Sequence, residues 1–464
     1  MMRRGAAILS AVLGLAVESA AATSTFAPEV VERGRYLAVA ADCAACHTAP
    51  GGRAFAGGYA LPSPFGAIYS SNITPSKQHG IGGYSEAQFA SALREGVRAD
   101  GARLYPAMPY ASYAALTDVD VHAIYAYFMQ AVAPVERAAP ATALSFPFNA
   151  RPAIAVWNAL FVNDFRFAED PARSAQWNRG AYLVGALEHC GECHTPRGPF
   201  MQSRYADALS GGRVGEWLAP DITSDPVRGI GSWKPEEIVA YLKTGRLDGK
   251  ARAAGGMAEA VTHSLSRLSD DDLQAIAAYL LTVRPVAHWA GSKPAAGWGG
   301  PVSSEAGLRG AANPAQGASL YSGLCASCHE ATGRGTPDQA VPSLFHNSTV
   351  GAERPENLIA VILHGVDREA GGHHVFMPGF GEASYVQPLT DAQVAAVANH
   401  VRATYGPGTP AITEADVATS RRGGPPSSLP MLARDGVAIA VLLVLALLGI
   451  RWKTSHRRER KDRS

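Results

Sequence analysis

Three times along the chain a polar start gives way to apolar residues at helical spacing. The starts are Leu116-Thr117-Asp118, Leu268-Ser269-Asp270 and Leu389-Thr390-Asp391. A hydroxyl followed by acids satisfies and stabilises the free N–H groups that open a helix. Behind each start, Val121, Ile124 and Tyr127, then Leu273, Ile276 and Tyr279, then Val394, Val397 and His400 recur on one face. The spacing predicts three amphipathic helices, each closing a unit and packing its stripe inward. His400 stands where the other copies have tyrosine and is read as a packing variant.

A second repeat lies upstream of each helix. Arg33-Gly34-Arg35-Tyr36-Leu37 matches Arg179-Gly180-Ala181-Tyr182-Leu183, and Gln316-Gly317-Ala318-Ser319-Leu320-Tyr321 is a looser third copy. Proline-rich stretches fall between the copies and read as linkers. The pattern therefore predicts an all-α chain of three tandem units over 28–135, 173–286 and 313–406, joined by 136–172 and 287–312 and followed by a linker, 407–430. The first two units share more with each other. Asn72-Ile73-Thr74 matches Asp221-Ile222-Thr223, and Gly80-Ile81-Gly82-Gly83-Tyr84 matches Gly229-Ile230-Gly231-Ser232-Trp233, both absent from the shorter third unit.

The ends read as targeting segments. Arg3 and Arg4, the apolar run Ala6 to Val17 and Ala20-Ala21-Ala22 form the three parts of a secretory signal peptide over 1–22. Gly436 to Ile450 is apolar without interruption, about 22 Å at a helical rise. Extended over 431–452, with Arg434 and Asp435 at one interface and Trp452 at the other, it is expected to span the membrane, a helix lying on anionic lipid being the alternative. Seven Lys/Arg against two Asp/Glu in the last fourteen residues make 453–464 a basic cytoplasmic tail, with the body periplasmic. With the basic residues gathered at the two ends, the net charge of +1 leaves a mildly acidic body. That balance argues against nucleic acid and assigns the tail to membrane lipid.

All six cysteines lie in three copies of one motif: Cys43-Ala-Ala-Cys46-His47, Cys190-Gly-Glu-Cys193-His194 and Cys325-Ala-Ser-Cys328-His329. Two thiols one helical turn apart can each add to a haem vinyl group, and the next residue places an imidazole on the iron. Zinc would need further Cys or His at ligand spacing, and disulfides would leave the three histidines unexplained. The motifs predict three covalently bound haem c groups, with His47, His194 and His329 as proximal ligands. For the opposite side, Met108, Met257 and Met377 stand in loops at matching places before the closing helices. His263, His373 and His374 are the competing ligands. Methionine on all three irons suits electron carriers and weighs against a peroxidase, which needs an open position.

With these motifs, the chain resembles the tri-haem cytochrome c subunits of bacterial membrane-bound alcohol, gluconate, sorbitol and aldehyde dehydrogenases. Tyr105-Pro-Ala-Met108-Pro-Tyr, Phe146-Pro-Phe-Asn149-Ala-Arg151-Pro, Asn357-Leu-Ile-Ala-Val-Ile-Leu-His364-Gly-Val and Met377-Pro-Gly-Phe380 extend the resemblance over nearly the whole chain. It implies a large periplasmic partner, using flavin or pyrroloquinoline quinone, whose electrons this subunit passes to ubiquinone while anchoring the complex. A stand-alone carrier to a terminal oxidase is the alternative. No G-x-G-x-x-G opens a strand–turn–helix and no four-stranded blade repeats, so no catalytic residue is assigned and substrate oxidation is expected in the partner.

Overall fold

The computed structural model describes residues 26–286, 293–302 and 315–461. The expected signal peptide over 1–22 and most of the 287–312 linker lie outside the described residues.

Each unit is built on a crossed pair of helices. Opening helices Pro28–Ala40, Ala175–Tyr182 and Gln316–Leu320 pack on closing helices Asp118–Gln130, Asp270–Leu280 and Asp391–Tyr405. Thr117, Ser269 and Thr390 cap the closing helices as the sequence suggested. The repeated glycine marks the crossing point. A Cβ on Gly34, Gly180 or Gly317 would lie 1.8, 1.9 or 2.2 Å from the carbonyl oxygen of Ala123, Ala275 or Ala396. Only a residue without a side chain lets these backbones meet. A middle helix completes each unit: Glu86–Glu95, Pro235–Thr244 and Glu356–His364.

The all-α expectation is corrected by four two-stranded antiparallel hairpins among the described residues. They pair Ala60–Ser63 with Gly66–Tyr69, Gly212–Val214 with Trp217–Ala219, Arg246–Leu247 with Ala251–Arg252, and Val366–Ala370 with His373–Met377. The last turns through Gly371 and Gly372, both at positive φ (58° and 76°). Two left-handed residues match the twist of the flanking strands, and Gly-Gly is a strong local signal for it. The helical stripes outweighed such short strands in the sequence.

The C-terminal expectation is corrected as well. Leu429–Lys461 is one helix, but among the described residues no helix is long and apolar enough to cross a membrane. Arg434 and Asp435 on one side and Arg451 and Lys453 on the other close the apolar run at fifteen residues, short of the ~30 Å of hydrocarbon.

Units 1 and 2 share a single contiguous core, whereas unit 3 has its own, centred on Ile359, Val394, Val397 and Tyr405. The first two units also exchange side chains reciprocally. Arg33 pairs with Asp120 in unit 1, and Tyr182 of unit 2 donates to the same carboxylate at 2.6 Å. Arg179 pairs with Asp272 in unit 2, and Tyr36 of unit 1 donates to it at 2.6 Å. Each tyrosine oxygen in turn accepts a backbone N–H at the partner's helix start, Thr117 or Ser269. The same patch on both units makes a pseudo-twofold contact. Unit 3 has Gln316, Ser319 and Gln393 at the corresponding places, and Gln393 closes its own helix cap instead. The linkers hold structure too: helix Pro152–Phe161 supplies Asn158, bonded to Tyr110 and Glu95, and helix Glu414–Arg421 buries Val417 in the unit 3 core.

Candidate haem sites

Each motif folds as a short helix, Cys43–His47, Gly191–His194 and Ala326–His329. The residue before the first cysteine turns the chain sharply in the first two units, Asp42 at φ 49° and His189 at φ 38°. A widened π-helical turn leads into the second and third motifs, at Leu183–Leu187 and Tyr321–Cys325. Such turns re-aim the side chains that follow and recur at functional sites. The six thiols are not joined to one another. Burial pushes Cys43 up to about 12 and Cys46 and Cys325 to about 11, so these are protonated thiols at neutral pH.

The three motif imidazoles share one hydrogen bond. His47 Nδ1 lies 2.7 Å from the Ser71 carbonyl, His194 Nδ1 2.7 Å from that of Pro220, and His329 Nδ1 3.0 Å from that of Pro342. A carbonyl oxygen only accepts, so Nδ1 holds the proton and Nε2 keeps its lone pair. Burial lowers all three below the ordinary histidine value, although the carbonyl bond pulls the other way. A neutral imidazole, oriented through Nδ1 and open at Nε2, meets the requirement for an axial iron ligand.

The loop shared by units 1 and 2 sets up that bond. Asn72 Oδ1 accepts from Thr74 N and Oγ1 at 2.9 and 2.7 Å, and Asp221 Oδ1 accepts from Thr223 N and Oγ1 at 2.7 and 2.6 Å. These side-chain turns hold the chain directly after the Ser71 and Pro220 carbonyls. Unit 3 presents Pro342 without that signature. The sequence had shown the matching tripeptides but not their task, because a backbone acceptor leaves no residue-type signal.

The methionines arrive by a common route. Each middle helix ends at a left-handed glycine, Gly96, Gly245 or Gly365 (φ 64°, 66° and 75°). A hairpin follows, reduced in unit 1 to the single bridge Val97 to Arg103. Met108, Met257 and Met377 each stand twelve residues beyond the glycine and lie half-buried against the core. The equal spacing was in the sequence and is a sharper signal than loop position. Among the competing histidines, His374 is exposed and paired with Asp367 at 2.7 Å. Two free thiols, an imidazole open at Nε2 and a thioether against the core fit a c-type haem in every unit.

Small helical units bearing these donors define a c-type cytochrome. Family models agree: one described as cytochrome c matches residues 31–131 and 314–404, and one described as cytochrome c oxidase, cbb3-type, subunit III matches 175–280. The chain is 45% identical to the fructose dehydrogenase cytochrome subunit of Gluconobacter japonicus, covering 93% of this chain and 92% of that protein. It is 40% identical to the cytochrome c subunit of alcohol dehydrogenase (quinone) from Gluconacetobacter polyoxogenes, over 86% of both. It is 38% identical to the gluconate 2-dehydrogenase cytochrome c subunit of Pantoea cypripedii, over 89% of this chain and 95% of that one. The chain belongs to the family of dehydrogenase cytochrome c subunits, and its work is electron transfer within an oxidoreductase complex.

Proposed function

We propose that this chain carries three covalent haem c groups and passes electrons from a periplasmic dehydrogenase subunit to ubiquinone at the bacterial inner membrane. Cys43 and Cys46, Cys190 and Cys193, and Cys325 and Cys328 form the thioether links. With haem bound, His47, His194 and His329 would ligate the iron, and Met108, Met257 and Met377 would supply the second donor. When bound, the haem supplies reversible one-electron iron chemistry, at a potential that methionine ligation raises. The protein's part is to hold each imidazole in one tautomer through a carbonyl and to place each methionine against the core, twelve residues beyond the glycine that ends the middle helix.

The partner oxidises an alcohol, sugar or aldehyde with flavin or pyrroloquinoline quinone. Support comes from the relatives, whose names place them with fructose, alcohol and gluconate dehydrogenases. The observation that carries the reading is the oriented Cys-x-x-Cys-His site, repeated three times in a chain related to such subunits from end to end. Mild-detergent purification from the native membrane tests it. A co-purifying flavin- or quinone-cofactor dehydrogenase, three haems per chain and substrate-driven ubiquinone reduction are expected. A chain that purifies with a terminal oxidase and no dehydrogenase would overturn it.

A further inference from the structure

Units 2 and 3 meet along the helix Glu356–His364, where Asn357 bonds both backbone groups of Leu218, and at one hairpin that reaches the shared core. Strands Val366–Ala370 and His373–Met377 belong to unit 3, and the second ends on Met377. Yet Ala370 is buried in the core that units 1 and 2 share. The first strand packs on the helix Gly256–His263, whose second residue is Met257. The methionine arm of one unit therefore lies against the methionine arm of the next.

Arg368 sits at the centre of this contact, 2% exposed. Its Nη1 donates to the Gly245 carbonyl at 2.6 Å and the Ala253 carbonyl at 3.1 Å, at the two ends of the unit 2 hairpin that leads to Met257. Gly245 also ends the middle helix of unit 2, where the helix dipole favours a cation. Among the described residues no carboxylate pairs with Arg368, and its Nε is buried without an acceptor. Its charged neighbours, Arg246 and Arg252, are paired with Asp248. A buried guanidinium lacking a counter-charge is a costly way to fill space. What it adds over an apolar side chain is direction, because one nitrogen bridging two fixed carbonyls sets register as well as contact. The opposing backbone makes room for it: a Cβ on Gly245 would lie 2.3 Å from Nη1.

We propose that Arg368 is the positioning residue of the junction between units 2 and 3, fixing the Met377 arm against the Met257 arm so that single electrons cross there. The transfer oxidises one unit by one electron and reduces the other by one; no bond forms or breaks and no proton moves. The inference rests on Met257 and Met377 being axial ligands.

The test uses the full haem-loaded chain as wild type, Arg368→Met and Arg368→Lys, given a one-electron radiolytic pulse and titrated for each midpoint potential. Losing two hydrogen bonds to buried carbonyls should slow equilibration between units 2 and 3 by about tenfold or more. The potential of the third haem should shift, with haem content unchanged. Arg368→Lys, which still donates, should recover most of the rate. A wild-type rate and potential in Arg368→Met, with only lower thermal stability, would overturn the positioning role. Should that variant fail to load haem, Gly245→Ala decides, since it displaces the fork with Arg368 intact: the same slowing supports the proposal and an unchanged rate overturns it. If the wild-type pulse never reaches unit 3, the electron-transfer reading itself is wrong, and the inference falls with it.

Discussion

Asp42 shows how one residue can set the pH response of a motif. It stands left-handed immediately before Cys43, with Oδ1 buried and without an acceptor or donor partner among the described residues. Burial, then the nearby charge of Glu259, pushes its carboxyl up to about 8, with Arg267 opposing. The folded protein thus keeps the proton to higher pH than the unfolded chain, where it leaves at ~4. The contribution to stability is complete below pH ~4, declines as pH rises, and is lost above about 8. Asn tolerates the same backbone, so Asp42→Asn should match wild type at acid pH and melt roughly 10 °C higher at pH 8. Thermal scans from pH 4 to 9 check this, and a pH-independent difference would contradict it. Legibility at this scale followed side-chain chemistry. The cysteines, histidines and methionines announced themselves, whereas the carbonyls of Ser71, Pro220 and Pro342 and the buried state of Asp42 depend on where the chain passes.

Elements in this protein are positioned by contacts between repeats. Gly180 lets the opening and closing helices of unit 2 touch at Ala275. Gly180→Ala should cost about 1–3 kcal/mol by overpacking, seen as earlier thermal unfolding of the joined first two units; an unchanged midpoint would show that the crossing relaxes freely. The reciprocal tyrosines act between units. Hydrogen bonds to charged groups contribute roughly 1.5–3 kcal/mol, so Tyr36→Phe and Tyr182→Phe should each destabilise the seam by about that much. The symmetric arrangement predicts similar losses, and strongly unequal melting shifts would argue against the pseudo-twofold contact. The Arg, Tyr and Asp of this exchange were present in the repeats, and their replacement by Gln316, Ser319 and Gln393 in unit 3 was readable too. Nothing in a helical stripe, however, says that a tyrosine reaches into the next repeat. The hairpins were hidden for a related reason: strands of two to five residues carry too few positions for alternation to outweigh neighbouring helices.

At the scale of the whole molecule, units 1 and 2 form one core and unit 3 another, with the Arg368 hairpin among the contacts that join them. Replacing Cys325 and Cys328 with alanine removes the haem links from a unit too small to bury much apolar surface alone. Limited proteolysis should then degrade 315–421 while 26–286 resists, with haem content falling by one third. Persistence of a protected third unit, or collapse of all three, would sink this division. The sequence by itself determined the helical repeats, their caps and the three Cys-x-x-Cys-His motifs, because periodicity, capping and motif spacing are local. Only the tertiary structure decided that two units share a core and that a third packs on the second through side chains such as Arg213, Asn357 and the buried Arg368. Those outcomes depend on which faces meet and where charges end up, and these are properties of distant residues brought together.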